Sequence, residues 1–275
     1  MSADFLPPKS DIVFKLLFGD ERNIDLLTAL LKSVLDLPHS EYAEVTIVDP
    51  HLLREFETDK LGILDVKVTT KSGNIIDIEI QVAETPELKE RIIFYIAKMI
   101  TEQIGNGQDY DAIKHVVSIV ITDFDFIVGS EPYHHKYTLY DRENESEFTD
   151  LVSLHTLELP KLPSKDDDTE LYDWLRFIRA ETEEDLNMSA QTNTQIEKAV
   201  GVLKELSADE RARMLYDARE KQRRDEASRL KGALREGEAR GKLEVAKNAI
   251  KAGIAIDQIT LLTGLSREEI ERLQK

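Results

Sequence analysis

Asp65, Glu79 and Gln81 stand among apolar residues in the stretch DVKVTTKSGNIIDIEIQ, residues 65–81. Side chains of a strand alternate between faces, so Ile76, Ile78, Ile80 and Val82 point one way and Asp77, Glu79 and Gln81 the other. On the preceding segment Leu64, Val66 and Val68 alternate with Asp65, Lys67 and Thr69. A polar turn near residues 70–74 folds the two segments into an antiparallel hairpin, in which Asp65 and Glu79 converge on one side. Two carboxylates at short range repel unless something positive lies between them. A hard divalent cation with oxygen ligands, Mg²⁺ or Mn²⁺, meets that need. It would activate a bound water and stabilise charge on a phosphoryl group. The spacing therefore fits metal-dependent phosphodiester hydrolysis, although a plain amphipathic hairpin with its polar side in water has the same spacing.

Several elements must position these residues. RNIDLLTALLKSVLD (22–36) spaces Ile24, Leu27, Leu30, Leu31 and Leu35 at helical intervals, with Pro38 beyond its end. EVTIVDP (44–50) reads as a short strand, and the hairpin GILDVKVTT/NIIDIEIQVA follows. A helix is expected from Thr85, as N-cap with Pro86 at the first helical position, through about Gln103. HVVSIVITDF (115–124) is a continuous β-branched run and predicts a buried strand. The order helix, three strands, helix, strand implies an α/β layer with a mixed sheet. Further strands are expected at 135–141 and 150–159, then an acidic loop SKDDDTE that reads as a solvated turn.

From about residue 168 the pattern is helical throughout. LYDWLRFIRA places Leu171, Trp174, Leu175 and Ile178 on one face, and Ser207 with Glu210 predicts a capping box opening a long charged helix. Gly232, Gly237 and Gly241 recur within that helix. Each costs about 1 kcal/mol against alanine, so close helix–helix approach or a flexible joint is implied. Two short helices around TGLS close the chain, with Ser266 and Glu269 as a second capping box. That end has the pattern of a helix-turn-helix and equally of a helical hairpin for self-association.

Composition narrows the classes. With 275 residues, 41% of them hydrophobic, the chain holds one substantial domain plus an appendage, or two small ones. No apolar run reaches about 18 residues and no signal-peptide pattern opens the chain, so a cytoplasmic protein is expected. The absence of cysteine excludes disulfides, thiolate metal sites and cysteine nucleophiles. Net charge is −18, unevenly spread: residues 1–210 carry 20 Lys+Arg against 43 Asp+Glu, and residues 211–275 carry 16 against 11. The basic segment can do electrostatic work that the acidic bulk cannot. No glycine-rich phosphate loop, G-x-S-x-G elbow or H-E-x-x-H occurs. His134 and His135 are adjacent and would face opposite sides of a strand.

ILDVKV…IIDIEIQ resembles the D…E-x-Q form of the PD-(D/E)XK nuclease motif. The chain as a whole is similar to the Rpn family of recombination-promoting nucleases and putative transposases. That similarity also rests on SDIVFKLLFGDERN (10–23), DKLGILDVKV (59–68), RIIFYIAKMITEQIGNGQDY (91–110) and the C-terminal LEVAKNAIKAGIAIDQITLLTGLSREEI. It implies a restriction-endonuclease-like core, followed by a C-terminal all-helical region. Carried over position by position, Asp65 and Glu79 would be metal ligands, with the Ile80 carbonyl a third. Gln81 stands where the wider superfamily has lysine. Glutamine carries no charge to stabilise an anionic oxygen but can orient a water. Lys67 or Lys60 could supply the missing charge, although both read more simply as surface lysines. Lys15 and Tyr95 match family positions without an evident chemical role.

The expected organisation is a nuclease core over 1–165, a helical extension over 166–206, a long charged helix over 207–247 and a small helical hairpin over 248–275. The expected activity is a Mg²⁺-dependent endodeoxyribonuclease tied to recombination or mobile elements. DNA is its substrate, and a homodimer forms through the C-terminal helices. The competing expectation is a degenerate nuclease scaffold that binds DNA or self-assembles.

Overall fold

The computed structural model describes residues 5–51, 64–105, 107–165 and 167–273. The chain divides into two compact units, Met1–Tyr216 and Asp217–Lys275. Six strands form one mixed sheet: β1 (Thr46–Val48), β2 (Val66–Thr69), β3 (Ile75–Gln81), β4 (Val116–Thr122), β5 (His134–Asp141) and β6 (Ser146–Glu158). Their spatial order is β1-β2-β3-β4-β6-β5. The β1/β2, β2/β3 and β5/β6 pairs are antiparallel, whereas β4 runs parallel to both β3 and β6. Central position explains the β-branched run of β4, every residue of which is buried. The restriction-endonuclease-like α/β core is thus present, with the expected order of helix, three strands, helix, strand.

Helices cover both faces of the sheet. One face carries Val66, Val68, Ile76, Ile78, Ile80, Val117, Ile119 and Ile121. Against it pack α1 (Asp11–Phe18), α2 (Ile24–Val34), α4 (Glu170–Arg179), α5 (Glu183–Ala190) and α6 (Thr194–Ala208). α4, α5 and α6 therefore share their hydrophobic cluster with the sheet. In α2 the buried stripe is Leu26, Leu27, Leu30, Leu31 and Val34. All four residues expected to face inward from α4 do so, and Trp174 meets the edge of Phe18 at 5.8 Å between ring centroids. Ser207 of α6 accepts a hydrogen bond of 2.9 Å from the Leu6 backbone N–H, tying the chain's start to α6. On the opposite face α3 (Leu88–Thr101) lays Leu88, Ile92, Ile96 and Met99 over Val116 and Val120.

Two expected helix starts are corrected. α3 begins at Leu88, because Pro86 and Glu87 form a turn in which Thr85 accepts from the Leu88 N–H with its carbonyl, not its side chain. Ser207 does not cap the long helix α7 (Glu210–Lys251). Its hydroxyl lies inside the last turn of α6 and donates to the Leu203 carbonyl. Asp209 takes the capping role, its carboxylate accepting from the Ala212 N–H at 2.7 Å.

In the second unit, Ala246 and Ala249 of α7 pack with Ile259 of α8 (Ile256–Thr263) and Ile270 of α9 (Arg267–Leu273). The Ser266/Glu269 box forms as expected, with hydrogen bonds in both directions. α7 runs continuously through Gly232, Gly237 and Gly241. Nothing lies within 4 Å of where a Cβ would stand on any of the three, so close packing within the described chain does not require them.

Capping at Asp209 makes a direct prediction. Asp209→Ala should lower stability by about 1 kcal/mol, whereas Glu210→Ala should change it by no more than a few tenths. Urea unfolding of the two variants separates the assignments.

Candidate active site on the covered face of the sheet

Register brings the acidic residues together. Lys67 pairs with Asp77 and Val66 with Ile78, so continuing the hairpin by one residue sets Asp65 opposite Glu79. There the strand ladder gives way to side chains. The Asp65 N–H donates to Glu79 Oε1 at 3.2 Å, and the Ile80 N–H donates to Asp65 Oδ2 at 2.9 Å. On the other side of β3, Ser118 of β4 stands in register with Asp77 and donates to its Oδ2 at 3.3 Å.

Because α3 covers this face, the polar side of the hairpin is not in water. Asp77 is 0% exposed and Glu79 6%, which removes the amphipathic-hairpin reading. Asp77 Oδ1 has no hydrogen-bond partner among the described residues. Burial, reinforced by the neighbouring Asp65, pushes the Asp77 carboxyl well above the usual carboxylate range. Glu79 is likewise pushed well up, by burial first and then by Asp77 and Asp65, with Arg91 opposing. Asp65 is raised by burial, against which Lys15 and the Ile80 N–H favour its charged form.

The positive groups are distributed unequally. Lys15 of α1 reaches Asp65 Oδ1 at 3.0 Å. Lys67 is buried, not a surface lysine, and its ammonium pairs at 3.2 Å with Glu102, just past α3. Lys60 lies outside the described residues. Arg91 donates to Gln81 Oε1 at 2.8 Å, and Gln81 Nε2 donates to Glu79 Oε2 at 3.1 Å. Tyr95, one helical turn from Arg91, lines the same narrow crevice, and its hydroxyl is raised by burial and by Glu79.

Asp65, Glu79, Gln81, Lys15 and Tyr95 are thus brought to one place, with Ile80 joining through its backbone. Sequence reading passed over Asp77, although its alternation with Glu79 places it on this face. It also passed over Arg91, whose spacing of four from Tyr95 was the available signal. Glu102 left no local trace, being recognisable only through Lys67. The histidine pair faces apart as expected: His134 bonds His155 and His135 bonds Ser130. In the acidic loop Asp167 accepts from Tyr133 and Thr169, as a turn residue does.

A family model of the PD-(D/E)XK nuclease family transposases matches residues 8–233. The chain belongs to that family. No curated protein and no solved structure shows significant similarity to it. Membership agrees with the D…E-x-Q hairpin, and relates the chain to nucleases of mobile elements. Among the described residues, no three His, Asp or Glu side chains are grouped so as to hold a metal ion by themselves. The donor set nevertheless fits a hard cation supplemented by water or backbone. Asp65 and Glu79 offer only oxygen, and each carboxylate retains lone pairs beyond the hydrogen bonds it accepts.

Burial of Asp77 gives a pH prediction. A carboxyl raised in the folded state contributes stability that is fully present below its unfolded pKa, about 4. That contribution is lost as pH rises through the folded value. Asp77→Asn should therefore unfold at a higher temperature than the unaltered protein at pH 8, with the difference shrinking toward pH 4. Thermal midpoints across that range check the sign.

Proposed function

We propose that the protein is a divalent-metal-dependent DNA endonuclease that hydrolyses phosphodiester bonds in the service of recombination or element mobility. The juxtaposition of Asp65 and Glu79 at the end of one hairpin, largely shielded from water and joined by the hydrogen bond from the Asp65 N–H to Glu79, supports this most directly. Asp65, Glu79 and the Ile80 carbonyl would hold Mg²⁺ or Mn²⁺. Such an ion supplies a nucleophilic water at neutral pH and neutralises charge on the phosphoryl group. Gln81 keeps one amide N–H beyond its bond to Glu79 and orients the attacking water with it. The water oxygen forms the new bond to phosphorus, one bridging P–O bond breaks, and solvent carries the water's proton to the leaving oxygen.

DNA is steered by the basic part of α7, where the charge balance of residues 211–275 turns positive. Cutting both strands is simplest with two sites, which a homodimer built through the C-terminal helices provides. Leu230 and Leu234 of α7, 72% and 63% exposed, offer apolar surface for that contact. Among the described residues no helix is long and apolar enough to cross a membrane, and we place the activity in the cytoplasm.

One observation favours a second reading, a degenerate scaffold that binds DNA or assembles without cutting. Each oxygen of Asp65 and Glu79 already has a protein donor, and Gln81 has replaced the lysine. Supercoiled plasmid at low salt, with Mg²⁺ or EDTA, separates the two. Nicking or linearisation that needs Mg²⁺ and disappears in Asp65→Ala and Asp65→Asn is the expected outcome. Intact plasmid from folded protein would favour the second reading.

A further inference from the structure

A phosphodiester undergoing hydrolysis accumulates negative charge on its non-bridging oxygens, and a preorganised cation aimed at them is worth far more in a dry site than in water. Position 81 is glutamine, so the positive side chain must come from elsewhere. Three cationic side chains stand near the carboxylates. Lys15 is taken up by Asp65 at 3.0 Å, and Lys67 by Glu102 at 3.2 Å. Arg91 alone among them forms no ion pair with a described residue. Its one recorded hydrogen bond, 2.8 Å to Gln81 Oε1, leaves the other guanidinium N–H groups without a partner among the described residues. Among the residues lining the crevice beside Asp77 and Glu79, Arg91 is the only cation.

The bond to Gln81 also orients it. A guanidinium presents five N–H donors in a planar fork. Anchoring one of them to a neutral amide fixes the plane without neutralising the charge. Gln81 in turn spends its carbonyl oxygen on Arg91 and an amide N–H on Glu79, so it separates guanidinium from carboxylate. A direct ion pair with Glu79 would have consumed the charge. Arg91 is half-buried, which leaves it reachable from solvent.

We propose that Arg91 is a further catalytic residue, whose unengaged N–H groups contact a non-bridging oxygen of the scissile phosphate and supply the charge that a lysine at position 81 would have supplied. This rests on the endonuclease reading above, and the experiment keeps the two apart. Plasmid cleavage is compared for the unaltered protein, Arg91→Ala, Arg91→Lys and the double variant Arg91→Ala/Gln81→Lys. DNA affinity is measured in parallel with Ca²⁺ in place of Mg²⁺, and far-ultraviolet circular dichroism verifies folding. Arg91→Ala should lose about 100-fold in turnover, with DNA affinity within about threefold of the unaltered protein. Arg91→Lys should retain part of the activity. Gln81→Lys in the Arg91→Ala background should recover at least tenfold, roughly 1.4 kcal/mol of transition-state stabilisation. A purely structural arginine of α3 would not be replaced by a lysine on β3.

Turnover of folded Arg91→Ala within about threefold of the unaltered protein would overturn the inference and leave the endonuclease reading intact. So would a loss that Gln81→Lys does not repair, or one matched by an equal loss of DNA affinity. Failure of the unaltered protein to cut would overturn the endonuclease reading, and this inference with it.

Discussion

Everything around the β2–β3 hairpin answers one electrostatic difficulty: acidic side chains lie on a sheet face that a helix seals from water. An ionised carboxylate deprived of solvent costs several kcal/mol unless paired or hydrogen-bonded. Asp65 raises the proton affinity of Asp77, and both raise that of Glu79. The neighbouring chain supplies counter-charge and dipoles in measured portions. Lys15 and the Ile80 N–H serve Asp65; the Asp65 N–H and Gln81 serve Glu79; Asp77 accepts from Ser118, and the charges of Lys67 and Lys15 also favour its ionised form. Compensation is incomplete: the carboxyls of Asp77 and Glu79 stay well above the usual carboxylate range, and Asp77 Oδ1 has no hydrogen-bond partner among the described residues.

The topology places that deficit. β2 stops pairing at Val66, and beyond it the Asp65 and Ile80 N–H groups donate to side-chain carboxylates instead of to ladder carbonyls. β4 lies parallel beside β3 and contributes Ser118 at the level of Asp77. α3 then lowers Arg91 and Tyr95 onto the same spot while its apolar stripe closes the roof. Turn geometry fixes the register: Gly73 adopts φ +86°, a conformation that glycine reaches without strain. A slip of one residue would carry every carboxylate to the apolar face.

Much of this was legible from alternation. The hairpin, the convergence of Asp65 and Glu79, the buried β4 and the inward face of α4 all follow from periods of two and 3.6. What escaped was tertiary. Whether a polar strand face meets water or a helix is decided by α3, which follows β3 closely but whose docking on that face no strand pattern states, so Lys67 read as a surface lysine and Asp77 passed as an ordinary acid. The eight-residue α1 went unread because its nearly unbroken apolar run, DIVFKLLF, shows no clear period. At the α6–α7 junction two candidate caps sit two residues apart. Ser207 was already committed to Leu203 and Leu6, contacts that no local pattern reveals. Arg91 was hidden differently, since an arginine on a helix reads as solvated until its partner is known.

The tie between the two ends of the first unit bears on how the protein is made. Lys15 is carried by α1, and α1 is bedded against α6 in a cluster fastened by the Leu6–Ser207 hydrogen bond. A growing chain emerges from the ribosome N-terminus first. The hairpin and α3 are therefore synthesised about a hundred residues before the helix that seats α1 beneath them. The cluster that holds α1, and with it the Lys15 counter-ion of Asp65, is therefore complete only once α6 has emerged, although α1 also meets β3 and α2. A fragment that ends short of α6 would leave α1 without part of its packing and Leu6 without its Ser207 partner, so the support of the hairpin reaches across the whole first unit.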